Sequence, residues 1–117
     1  IEEKKKEVVE FLADLKSKNK VVVGYGAPAK ACTFLNYCEM DKSILSFTVD
    51  KSTYKQKLYV PSTHIPIFKP EKIFETKPDY VLILAWNLKD EIIEQMKSIK
   101  DWGGKFVVFI PELEIIE

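Results

Sequence analysis

The sequence predicts a doubly wound α/β domain with a mainly parallel, five-stranded sheet in a three-layer α/β/α arrangement. Three observations carry that expectation. Val21-Val22-Val23 and Val81-Leu82-Ile83-Leu84 are uniformly apolar, with no polar alternation, as strands covered on both faces are. Stretches of helical periodicity alternate with these runs. Glycine or proline marks the connections, Lys51 to Tyr59 reads as polar loop, and there is no internal repeat, low-complexity tract or linker.

Each element has its own signal. Over residues 1–19, Val8, Phe11, Leu12 and Leu15 recur at three- and four-residue steps among Glu and Lys, which predicts an amphipathic helix ended by Asn19 and Lys20. The strand over 21–23 follows. A turn spans Gly24 to Pro28, and Pro28 suits the first position of a helix over 28–40. Residues 44–49 make the second strand, ending at Asp50. Prolines 61, 66 and 70 confine 65–68 to a short strand near an edge and leave one helical turn over 70–74. The strand over 81–84 is central. In the helix over 88–100, Leu88, Ile92, Met96 and Ile99 line one side, Asp90 and Glu91 suit its positive end, and Lys97 and Lys100 suit its negative end. Gly103-Gly104 stops that helix, and 106–110 is the fifth strand. Right-handed crossovers then give the Rossmann-like order 3-2-1-4-5, with the switch point between strands one and four.

Composition bounds the function. The chain has 117 residues, enough for a single domain over 1–117, and its 18 basic and 18 acidic groups cancel. Zero net charge leaves no electrostatic footprint for nucleic acid or an anionic membrane. The longest apolar run, Val81 to Trp86, is six residues, far short of the roughly 20 a membrane span needs. Every basic residue is Lys, so an anion must be held by ammonium groups, hydroxyls or backbone N–H groups instead of guanidinium forks. Cys32, Cys38 and the lone His64 cannot assemble a four-ligand zinc site. Two thiols make no disulfide framework, which points to the reducing cytoplasm.

The chemistry-bearing segment follows the first strand. Gly24-Tyr25-Gly26-Ala27-Pro28-Ala29 fits the G-x-G-x-x-A dinucleotide pattern. Gly24 would permit the tight turn, Gly26 the close approach of a ligand, and Ala29 close packing of helix on sheet. Free N–H groups at the helix start favour an anion, although Pro28 removes one of them. Asp50, about 20 residues further on, stands where an acceptor for a ribose hydroxyl belongs. Lys30 adds a positive charge inside the helix. Trp86 and Asn87 sit on the same rim, beyond the fourth strand. Trp86 serves packing or stacking on a ring, and Asn87 serves as N-cap of the last helix or as a pocket-lining amide. His64 orders its loop, since no partner stands at catalytic spacing. No paired carboxylates or triad emerge, so no catalytic residue is assigned.

Gly24-Tyr25-Gly26-Ala27-Pro28-Ala29-Lys30, with Thr33, Leu35, Asn36, Tyr37 and Cys38, resembles the C-terminal domain of S-adenosylmethionine-dependent C-methyltransferases that act on nucleotide-linked deoxysugars. The likeness continues through Asp50-Lys51-Ser52, Pro61 to Ile67, Pro78-Asp79-Tyr80, Ala85-Trp86-Asn87 and Gly103-Gly104-Lys105. It implies the C-terminal part of a larger enzyme, which agrees with a start at Ile1 instead of Met. It further implies that the S-adenosylmethionine site and the catalytic groups lie in a central domain outside this chain, which is the expected partner. This domain would position a nucleotide-linked keto-deoxysugar through Tyr25, Gly26, Ala27, Lys30, Thr33, Trp86 and Asn87. Two departures from the family pattern stand out: Ala31-Cys32 where Gly-Asn is common, and Ser62 where Gly is common. The alternative is an independent NAD-type dinucleotide-binding module using Gly24–Ala29 and Asp50.

Overall fold

The computed structural model describes residues 2–26, 45–51, 65–108 and 114–116. Helix α1 (Glu2–Ser17) leads into strand β1 (Val22–Tyr25); β2 (Thr48–Val49), β3 (Ile67–Phe68) and helix α2 (Glu71–Thr76) follow. Then come β4 (Tyr80–Ile83), a 3₁₀ turn (Trp86–Leu88), α3 (Lys89–Gln95), a second 3₁₀ segment (Lys97–Trp102), β5 (Lys105–Val108) and β6 (Glu114–Ile116). The sheet order is β3-β2-β1-β4-β5-β6. The first five strands are parallel and in the expected order. The sixth, antiparallel to β5, was not expected; it pairs Val107 with Ile115 at the sheet edge.

Side chains alternate between two apolar faces. Val22, Leu82, Leu84 and Val107 point to one, where α1 contributes Val8, Leu12 and Leu15. Val23, Val81, Ile83, Phe106 and Val108 point to the other, against Ile73 of α2, Ile92 of α3, and Met96 and Ile99 beyond it. Both faces are therefore covered, which is why these strands carry no polar alternation. Phe11 of α1 meets Tyr80 edge to face at 6.2 Å between centroids. Phe47 and Phe68 do the same on the opposite face at 5.4 Å.

The helix ends are chemically specified. Asn19 adopts φ 60° after α1. The N–H groups of Asn19 and Lys20 donate to the carbonyls of Lys16 and Leu15, closing the helix with a Schellman motif. Gly103 repeats this at φ 80°, with Gly103 and Gly104 donating to Lys100 and Ile99. The amino ends of the strands are stapled together. The Val21 N–H donates to Asp79 Oδ2 at 2.7 Å, and Trp102 Nε1–H donates to the Pro78 carbonyl at 2.8 Å.

The expected helix over 88–100 is divided. Met96, at φ −106° and ψ 17°, ends α3, and the chain tightens into 3₁₀ turns. No Gly or Pro marks that break; the tighter winding places Ile99 three residues after Met96, and both are fully buried. Leu88, expected on the buried side, is 43% exposed because it belongs to the 3₁₀ turn ahead of α3. The expected helix over 28–40 lies outside the described residues, as do Cys32, Cys38 and His64.

Candidate functional site

Hydrogen bonding at the end of β1 shapes the site. Gly26 N–H donates to the Val49 carbonyl at 2.6 Å. The hydroxyl of the fully buried Thr48 donates to the Gly26 carbonyl at 2.8 Å. The Leu84 N–H donates to the Tyr25 carbonyl at 2.9 Å. The chain thus leaves β1 held on both sides, by β2 and by the end of β4. Thr48→Val keeps the shape but leaves the buried Gly26 carbonyl without this donor. A loss of about 1–3 kcal/mol is expected in urea denaturation, and unchanged stability would dismiss the bond as a determinant.

The two glycines divide their work otherwise than the sequence suggests. Gly24 lies within β1 and makes no turn; a Cβ there would stand 2.8 Å from Thr48 Oγ1 and 2.9 Å from Leu84 Cδ1. Its role is close packing inside the sheet. The turn belongs to Gly26, whose φ is 98°, and a Cβ there would meet the Ala85 Cβ at 2.8 Å.

Outside the carboxyl ends of β1, β2 and β4 lies a cavity of about 300 Å³. That is where an open α/β sheet binds ligands, at its switch point. Tyr25 and Gly26 form one wall, and Asp50 with Lys51, just past β2, forms a second. Ala85, Asn87 and Leu88 follow β4, while Glu91, Ile92 and Gln95 project from α3. The cavity is amphipathic: Ala85, Leu88 and Ile92 supply apolar surface, and Asp50, Lys51 and Glu91 are the charged groups among the described lining residues. Tyr25, 5% exposed, donates its hydroxyl to Gln95 Oε1 at 3.0 Å. Burial raises the Tyr25 phenol above its ordinary 10.0; the Gln95 hydrogen bond opposes this, and the carboxylates of Asp50 and Glu71 add to it. Tyr25 is therefore a neutral donor at physiological pH.

Of the residues expected at a site, Tyr25, Gly26 and Asn87 line this cavity together, as does Asp50. Trp86 does not. Ala85 points to the α3 face, so the next residue turns back toward the α1 face, where Trp86 packs half-buried on that cluster. It also borders a separate depression with Asn87 and Asp90. Asn87 is not the N-cap: Leu88 holds that position for α3 and Ala85 for the 3₁₀ turn, neither with a side-chain cap bond. Ala27, Ala29, Lys30 and Thr33 lie outside the described residues. Glu91 and Gln95 were missed. Their signal was the four-residue step Asn87, Glu91, Gln95, a polar row along one helix edge.

A sheet wound to both sides of β1, with a cavity outside its carboxyl ends, defines a Rossmann-like domain. The chain belongs to the C-methyltransferase C-terminal domain family, which its residues 1–111 match. It is 37% identical over 110 residues to C-methyltransferase NovU of Streptomyces niveus, an alignment covering 94% of this chain and 26% of that protein. The chain thus spans about a quarter of its relative's length. Among solved structures it resembles UDP-D-quinovosamine 4-dehydrogenase from Vibrio fischeri, with a TM-score of 0.55 and 17% identity over 84% of this chain and 93% of that one. That likeness is one of fold. Among the described residues, no helix is long and apolar enough to cross a membrane.

Proposed function

We propose that this domain positions a nucleotide-linked keto-deoxysugar for C-methylation, with the methyl-transfer chemistry carried out elsewhere in the enzyme. The observation that supports this is the cavity at the switch point of a C-methyltransferase C-terminal domain, lined by Tyr25, Gly26 and Asn87. Its volume lies at the lower end of the roughly 300–1,000 Å³ range of ligand pockets. It suits one ring system. S-adenosylmethionine, held beyond this chain, supplies an electrophilic methyl group.

The substrate reacts by losing a proton next to its ketone, and the enolate carbon then takes the methyl group. Both steps gain from a fixed near-attack geometry and from excluded water. This chain contributes the fixing. The Tyr25 and Gly26 wall is rigid because backbone and side-chain hydrogen bonds from β2 and from the end of β4 hold it. Asn87 and Gln95 offer amide groups from the facing wall, and Lys30 and Thr33 are assigned as further substrate contacts.

The test is an amide chemical-shift titration of the 117-residue chain with deoxythymidine diphosphate-glucose, NAD and S-adenosylmethionine in turn. The sugar nucleotide is expected to shift Tyr25, Gly26 and Asn87 saturably, while the other two leave them in place. Saturation by NAD, extending to Asp50, would replace this reading with the dinucleotide module. No shift with any of the three would refute substrate positioning by this domain.

A further inference from the structure

We infer that α3 is a hinged wall of the switch-point cavity, swinging away from the sheet as a unit, with the Tyr25–Gln95 hydrogen bond as its latch. The inference stands on the fold alone. It concerns how the cavity opens, whatever ligand enters, and goes beyond the substrate-positioning reading without resting on it.

The facing walls of the cavity are held very differently. Tyr25 and Gly26 are fixed by hydrogen bonds from β2 and from the end of β4. The other wall, α3, is a helix of seven residues, too short to persist without support from the sheet. That support is thin. Ile92 is buried and Lys89 and Ile93 are half-buried, while Asp90, Glu91, Glu94 and Gln95 are exposed. No side-chain cap bond closes its amino end. Among the described residues, the side-chain hydrogen bond that joins α3 to the sheet runs from the Tyr25 hydroxyl to Gln95 Oε1, at 3.0 Å.

Both ends of α3 are placed to bend. Leu88 before it has φ −110° and ψ 17°, and Met96 after it has φ −106° and ψ 17°. These near-identical values depart from helical geometry, and a 3₁₀ segment adjoins each break. Such interruptions often mark hinges. The chain is firmly seated on the far side of both: Ala85 is buried ahead of Leu88, and Met96 and Ile99 are buried beyond Gln95. Lys97 reaches back across the second break to Glu94 at 3.1 Å, but both side chains are exposed and such pairs restrain little. A short, weakly buried helix between two seated pivots opens before the sheet does. Its motion carries Glu91, Ile92 and Gln95 away from Tyr25, and the cavity they line together widens.

Native-state amide hydrogen exchange of the 117-residue chain, with no ligand added, tests this. The Ile93, Glu94, Gln95 and Met96 amides are expected to share one opening, with protection at least about a hundredfold lower than that of Val23 and Leu82 in the sheet. Tyr25→Phe keeps the ring and removes the latch. It is expected to lower α3 protection about fivefold, the worth of one net hydrogen bond. Gln95→Met, at an exposed position and with similar helix propensity, is expected to do the same. The two substitutions together should add nothing to either alone, since they break one bond. Equal protection of α3 and the sheet would show that α3 opens only with the whole domain, and would overturn the hinge. Unchanged α3 protection in Tyr25→Phe would show that the bond survives the opening, and would overturn the latch. Neither result bears on whether the cavity positions a sugar nucleotide, so the two readings fail separately.

Discussion

Gly26→Ala is expected to lower the unfolding free energy by about 3 kcal/mol, from backbone strain and overpacking together. At φ 98° an L side chain is strained, and its Cβ would arrive 2.8 Å from the Ala85 Cβ. Ala85 cannot withdraw readily, because its own N–H lies against the Tyr25 carbonyl at 3.3 Å and its neighbour Leu84 is bonded to the same oxygen. For a chain of this size the melting temperature falls by roughly 10 °C. Gly103→Ala isolates the strain from the clash, since φ there is 80° but nothing lies within 4 Å of the new Cβ. It should cost about 1 kcal/mol. Equal losses in thermal denaturation of the two variants would show that contact with Ala85 is immaterial.

Phe106→Ala is expected to cost about 3–5 kcal/mol, the range for emptying a phenyl group from a close-packed interior. Phe106 is wholly buried on β5 in the same cluster as Met96, Ile99 and Val81. These neighbours belong to a parallel sheet and a tight 3₁₀ segment, which have little freedom to close the void. A small domain has only about 5–15 kcal/mol of stability to lose. Leu88→Ala serves as the contrast, since its side chain is 43% exposed and its loss should fall within about 0.5 kcal/mol of neutral. Urea denaturation of both variants checks the pair, and similar midpoints would contradict the burial argument.

The parts legible in the sequence were those fixed by burial on both sides. Val81 to Leu84 carries the central strand without ambiguity, and the prolines around Ile67-Phe68 mark the short edge strand correctly. Strand order followed from the doubly wound pattern, with its reversal at strand one, together with the one favourable hand of each crossover. β6 escaped notice because Glu114-Ile115-Ile116 is too short to show a period, and its place depends on pairing with Val107. The break at Met96 escaped because it reflects packing on the sheet and not a local breaker.

At the site, the glycine pattern located the cavity wall but not the separate tasks of Gly24 and Gly26. Those tasks depend on Thr48, Leu84 and Ala85, which are distant along the chain. Trp86 was ambiguous until strand alternation was known. Gln95 stands in the polar row Asn87, Glu91, Gln95, but its bond to the Tyr25 hydroxyl, 70 residues away, shows only in the fold.

The pairing of β1 with β4 governs how the domain comes into being. Val21 and Asp79, bonded where these strands begin, are 58 residues apart, and every rung between Val22 and Ile83 closes a loop of that order. Such long-range closure is slow, because chain entropy is lost before any contact compensates for it. During synthesis, Tyr25 emerges well before the α3 residues that complete its surroundings. No partial chain ending before α3 has all the described walls of the cavity, so the cavity is completed late and all at once, as a signature of finished folding. A refolding experiment followed through burial of Tyr25 would therefore trace the same slow phase as one followed through the β-sheet signal.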